Sequence, residues 1–181
     1  MRLSNNRYED IKKDIIKMYV ETGINTFPID VYCLCDRLGY ICKSYSSLGK
    51  KKSERLIVYE EDGFHRFEDG KVVIYYNDAK QEGRIRFTIM HEIGHIIRKH
   101  FEYSPLAENE ADWFAAYALC PPPIVGLHEV LDFTELINMF NLTSDCAYNS
   151  MNRYISWKRR SAKLTDYEKT LINQFSIERK W

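Results

Sequence analysis

The stretch from Glu82 to His100 constrains the fold more than any other part of the chain. Phe87, Ile89, Met90, Ile93, Ile96 and Ile97 fall around almost the whole circumference of a helix, so that helix must be surrounded by other elements. The same helix carries His91, Glu92 and His95. Such groups are costly to bury among aliphatic side chains without strong partners, and a metal ion is the strongest available. In His91-Glu92-Ile93-Gly94-His95 the histidines are four residues apart, hence about 40° apart on one face and one turn above the other. Two imidazoles so placed grip one ion. Glu92, rotated by about 100° from His91, then reaches a metal-bound water without being a ligand, and zinc lowers the pKa of that water to about 7. Gly94 is a poor mid-helix residue, by about 1 kcal/mol relative to alanine. Its missing side chain lets another backbone or a substrate strand come close.

A catalytic zinc keeps three protein ligands and one open position, so the third ligand is expected from the next helix. Ala107-Glu108-Asn109-Glu110-Ala111-Asp112 places Glu108 and Asp112 one turn apart. Glu108 is assigned as ligand and Asp112 as a carboxylate that orients a ligating histidine from behind. Glu110 is rotated by roughly 200° from Glu108, so both cannot face the ion.

Around this centre the apolar periodicity predicts a helix over 8–22 ending at Gly23, then a shorter one opened by Pro28 and ended by Gly39. The runs Tyr40-Ile41-Cys42, Leu56-Ile57-Val58-Tyr59 and Val72-Val73-Ile74-Tyr75-Tyr76 predict strands, with Glu-Asp-Gly turns at 61–63 and 68–70. The polar, basic stretch 44–53 reads as a loop. Helices are predicted over 82–100, 106–120, 132–140, 144–159 and 165–178, with Pro121, Pro122 and Pro123 as punctuation. The fold class is α+β: a small antiparallel sheet packed against the His-Glu-x-x-His helix, with additional C-terminal helices. Residues 1–122 form the central domain and 123–181 a helical extension packed on it. Val72–Tyr76 is expected as an edge strand able to hold an extended peptide by strand addition.

With 26 basic and 26 acidic residues, the 181-residue chain has no global pull toward nucleic acid or membrane. No apolar run approaches the roughly 18 residues of a membrane span, and the start of the sequence has no signal-peptide pattern. Five cysteines at irregular spacing suit free thiols in a reducing cytosol, so a cytoplasmic location is expected. Cys33, Cys35 and Cys42 have an atypical spacing for metal and read as buried thiols.

The strings Val73-Ile74-Tyr75-Tyr76-Asn77, Arg84-Ile85-Arg86-Phe87-Thr88-Ile89-Met90-His91-Glu92-Ile93-Gly94-His95, Glu108-Asn109-Glu110-Ala111-Asp112-Trp113-Phe114-Ala115 and Leu119-Cys120-Pro121 together resemble the ImmA/IrrE family of metallopeptidases. The likeness runs from about residue 70 to 122, with a similar layout to about 155. It implies a zincin-like helix, a zinc ion held by His91, His95 and Glu108, and Glu92 as catalytic base. It also implies a substrate: a helix-turn-helix transcriptional repressor of a mobile element or prophage, cut by this chain as a zinc-dependent endopeptidase. Two positions depart from the pattern. Asp112 stands where the family often has asparagine, and Cys120 where leucine or methionine is common.

Other readings compete. A non-catalytic regulator that binds a repressor or DNA, with zinc as a structural clamp, is the alternative function. A di-iron centre needs two Glu-x-x-His pairs, and the chain offers only Glu92-Ile93-Gly94-His95. Residues 133–155 have the form of a helix-turn-helix, followed by the basic Lys158-Arg159-Arg160. A structural or protein-docking corner is the simpler use, with direct DNA binding the lesser alternative. Tyr75, Tyr76, His65, His100 and His128 are candidates to stabilise a tetrahedral intermediate. His100, about half a turn out of phase with His91 on a continuous helix, reads as a surface residue.

Overall fold

Helix α1 (Asn5–Thr22) begins where the Ser4 hydroxyl accepts the Arg7 N–H and ends at Gly23, whose φ of 64° is a left-handed cap. The structure, a computed structural model, describes residues 3–130, 132–160 and 163–176. Met1 and Arg2 of the N-terminal reading, 177–178 of the expected last helix and the end of the extension lie outside these residues. In α2 (Val31–Leu38) the first N–H groups are taken by Asp30, at 3.0 and 2.9 Å, so the cap is Asp30 rather than Pro28; Gly39 closes the helix as expected.

The sheet is mixed, not antiparallel. Its order is β1-β3-β2, where β1 (Ile41–Ser44) runs parallel to β3 (Lys71–Tyr76) and β2 (Gly63–Glu68) antiparallel to it. The expected strand at Leu56–Tyr59 is instead the end of α3 (Lys50–Tyr59), preceded by a 3-10 turn at Ser46–Leu48. The loop expected over 44–53 is largely helical for the same reason. Lys50-Lys51-Lys52-Ser53-Glu54-Arg55 are helix formers that carry the helix into the β-branched run. No sheet face is left to hold that run, and Val58 is 88% exposed. With α3 bridging β1 and β2, β3 slots between the two strands and both of its edges are paired. That removes strand addition at Val72–Tyr76. The free edge next to the cleft belongs to β2, a strand between the two Glu-Asp-Gly turns that the hydrophobic runs did not reveal. Asp69 and Gly70 close the β2–β3 hairpin with φ of 50° and 77°, the mirror-image geometry a two-residue hairpin needs.

Helix α4 (Glu82–Ile97) lies between the sheet and α5 (Pro105–Leu119), with Ile89, Met90 and Ile93 fully buried. Each such side chain contributes about 1.5–3 kcal/mol of burial. Then follow α6 (Pro122–Leu127), α7 (Phe133–Phe140), α8 (Ser144–Arg160) and α9 (Asp166–Ser176). Residues on both sides of position 122 share one core: Ile11, Ile15 and Tyr19 of α1 sit with Phe114, Ile124, Phe140, Leu171 and Phe175. The α7–α8 corner has a structural duty. Buried Arg86 of α4 donates to the carbonyls of Phe140 and Asn141 at 2.7 Å and of Ile29 at 2.8 Å, filling the C-terminal end of α7. All five cysteines are free thiols, and no helix among the described residues is long and apolar enough to cross a membrane.

Candidate metal centre

Gly94 sets the spacing on which the site depends. A Cβ there would stand 3.1–3.2 Å from the Phe114 ring and Cβ, so the close neighbour it admits is a side chain of α5 rather than a backbone or substrate strand. With α4 and α5 in contact, His91, His95 and Glu108 converge. The two histidine Nε2 atoms are 2.9 Å apart, Glu108 Oε2 is 3.4 Å from His91 Nε2, and Glu108 Oε1 is 3.5 Å from His95 Nε2. Ligands bound at about 2.0–2.1 Å with tetrahedral angles stand roughly 3.3–3.4 Å apart, so the donor set fits one zinc-sized ion. Among the described residues this is the only group of histidine, cysteine and carboxylate atoms close enough to share an ion; Cys33, Cys35 and Cys42 do not form one.

The tautomers are set from behind. His91 Nδ1 lies 3.0 Å from Asp112 Oδ1, so the Nδ1–H donates there and the Nε2 lone pair faces the ion site. The sequence placed Asp112 in this supporting position, and the structure brings it to His91. Burial opposes charge on His91, but Asp112, Glu92 and Glu108 together outweigh it and hold its pKa above the usual histidine value. His95 is pushed down to about 3, by burial first and then by the neighbouring histidines. Its Nδ1 faces His100 Nδ1 at 3.1 Å, and His100 Nε2 faces Glu110 Oε2 at 3.1 Å. One proton arrangement satisfies all these atoms: His95 Nδ1–H donates to His100, and His100 Nε2–H donates to the carboxylate. Glu110 is in turn held by Arg7 and, at 3.2 Å, by Arg98.

His100 is therefore not the surface residue expected. The helix stops at Ile97, and Lys99 turns with φ 57° while the N–H of His100 bonds the His95 carbonyl at 3.0 Å and that of Lys99 bonds Ile96 at 3.1 Å. This is a Schellman closure with lysine in the usual glycine place, and it folds His100 back beneath His95. Counting phase along an unbroken helix missed it.

Glu92 is buried and lines the same cleft, about 510 Å³ in volume. Its Oε2 accepts a hydrogen bond from His65 Nδ1 at 2.7 Å. His65 sits on β2, where Gly63 lets the strand approach α4: a Cβ at Gly63 would stand 2.7 Å from the Thr88 methyl. Of the five candidates for stabilising an intermediate, His65 and His100 line the cleft; Tyr75, Tyr76 and His128 do not. Tyr75 instead donates to Glu68 at 2.9 Å. Sequence reasoning also missed Glu60 and Tyr103, both on the cleft wall. Burial, reinforced by Glu92 and Glu108, raises the Glu60 pKa, which marks the cleft as a crowded acidic surface suited to a cation.

Such an arrangement offers a histidine–histidine–glutamate seat for a metal with a buried carboxylate beside it, the parts a metal-assisted hydrolase needs. Searches of curated proteins and of solved structures return no match to this chain. Residues 54–124, which contain β2, the helix α4 with His91 and His95, and all of α5, match the IrrE N-terminal-like domain, Peptidase M78, so this part of the chain is similar to that domain of the ImmA/IrrE family.

Proposed function

We propose that this chain is a zinc-dependent endopeptidase. The observation that carries the reading is the convergence of His91, His95 and Glu108 at 2.9–3.5 Å beside the buried carboxylate of Glu92. His91, His95 and Glu108 would hold the ion, and zinc there would supply Lewis acidity and a water of lowered pKa. Glu92 takes the proton of the attacking water and returns it to the leaving amine. His65 holds the Glu92 carboxylate in place through its Nδ1–H. The free edge of β2 offers main-chain groups to an extended peptide, with the scissile carbonyl brought over the cleft.

The substrate in this reading is a helix-turn-helix repressor, supported by the resemblance to the ImmA/IrrE family. A cytoplasmic location belongs to the same reading, and five free thiols suit a reducing compartment. Purified protein is expected to hold close to one zinc per chain and His95→Ala to lose most of it. The decisive experiment co-expresses parent or Glu92→Gln with a repressor encoded nearby and follows fragments and reporter output together. Glu92→Gln keeps its zinc and fold but loses at least ~10² in turnover, so fragments appear with the parent alone. Derepression by both proteins without fragments would instead favour a non-catalytic regulator with zinc as a clamp.

A further inference from the structure

The metal cleft does not end at Asp112. A second cavity of about 530 Å³ shares Arg84, Phe87 and Asp112 with the cleft, and shares Trp113, Asn149 and Arg153 with a third. That third cavity, about 880 Å³, is a groove between α1, α5 and α8. The three follow one another along α5. From Glu108 to Tyr117 the helix advances about 13 Å, which an extended peptide covers in roughly four residues.

The far groove differs from the cleft in charge and in its wall. Lys12, Arg153, Arg159 and Arg160 line it against the single acid Glu9, in a chain of zero net charge. Its apolar wall is aromatic: Trp113 stacks on Tyr117 at 4.9 Å and 20°, and Tyr8 packs on Trp113 at 4.9 Å. Two of its polar groups lack partners. Tyr117 is 2% exposed and its hydroxyl bonds to nothing among the described residues. Arg153 donates to Ser150 Oγ at 2.8 Å and to the Ala116 carbonyl at 3.4 Å, yet its buried Nε has no partner and no carboxylate among the described residues pairs with it. A guanidinium this sheltered with no counter-charge is matched by a carboxylate from outside.

We propose that this groove is a docking subsite for the substrate polypeptide, continuous with the metal cleft, which takes an acidic side chain about four residues from the scissile bond onto Arg153 and packs the adjoining chain on Trp113. The proposal rests on the peptidase reading above. It makes substrate choice depend on an acidic anchor away from the reacting bond, with the acidic cleft itself favouring neutral or basic residues nearer the ion.

The test uses the full zinc-loaded chain and a synthetic random-sequence dodecapeptide library, cleaved and read by mass spectrometry for residue preference at each distance from the cut. The parent should enrich glutamate or aspartate about four residues from the cut on one side. Arg153→Gln should reduce that enrichment about tenfold, the effect of losing one charged hydrogen bond, while Arg153→Lys keeps most of it; thermal melting confirms that both variants fold. A second arm selects the same library by equilibrium binding on zinc-loaded Glu92→Gln, which needs no turnover. Cleavage without acidic enrichment overturns the subsite and leaves the peptidase reading standing. Absence of cleavage by the parent counts against the peptidase reading, and the binding arm then decides the groove: no acidic enrichment overturns it. Occupation by a small anion instead, seen as inorganic phosphate or AMP quenching tryptophan fluorescence in the parent but not in Arg153→Gln while no acidic peptide is enriched, overturns it as well.

Discussion

In the proposed hydrolysis Glu92 and His65 divide one task. A general base must hold its lone pair toward a water through the whole reaction, and a carboxylate fixed by a single tether rotates freely about its last bond. His65, donating to Glu92 Oε2 at 2.7 Å, removes that freedom. His65→Phe should therefore keep its zinc, since the imidazole is not among the converging ligands, and lose about 10- to 100-fold in kcat, the range for groups that orient a reacting residue. KM should change little. Zinc content and the split between kcat and KM check this; a loss confined to KM would make His65 a substrate contact instead. At this scale the sequence was informative wherever chemistry is spaced along one helix. His91, Glu92 and His95 are legible because an α-helix converts four residues into one face. His65 reaches Glu92 from a strand 27 residues earlier, a pairing that no local spacing encodes.

Between elements, the site depends on how α4 ends and how near α5 comes. The Schellman turn at Lys99 brings His100 under His95, and Glu110 of α5 completes the line. Replacing His100 by alanine leaves His95 Nδ1 without its acceptor, so zinc affinity should fall about 10- to 100-fold, measured by competition with a chelating indicator. Equal affinity in parent and variant would reduce His100 to a packing residue. Gly94→Ala drives a methyl toward Phe114, where only 3.1–3.2 Å is open; it should destabilise the fold by about 1–3 kcal/mol, read as a lowered urea midpoint. The helices of this part were visible in advance because their apolar stripes and caps are local. The sheet was not, because strand order depends on partners: α3 carries a β-branched run that has no strand to pair with, and β3 takes the centre because β1 and β2 reach it from opposite sides.

Across the whole molecule, Glu110 is the point where α1, α4 and α5 are tied together. Its side chain is 3% exposed and meets Arg7 from α1, Arg98 at the end of α4 and His100 beyond it, while Arg98 also bonds Asp14 of α1 at 2.6 Å. Burial works to raise the carboxyl pKa, but Arg7, His100 and Arg98 together outweigh it and leave it below the ordinary 4.5. A carboxyl whose pKa is lower in the folded than in the unfolded chain stabilises the fold above its unfolded pKa, and that contribution disappears as pH falls through the folded value. Any bound metal must be chelated for the measurement, since the ion would add its own pH dependence. Metal-free Glu110→Gln should then be about 1–3 kcal/mol less stable than the parent at pH 7, the cost of taking a charged acceptor from buried donors. The gap should narrow steadily below about pH 4.5, as the parent's carboxylate is protonated and comes to resemble the amide. Urea unfolding of both proteins at pH 7, 5, 4 and 3.5 provides the comparison. A gap that stays constant over this range would mean that Glu110 contributes by packing alone and that the charges joining α1 to α4 and α5 do not stabilise the fold.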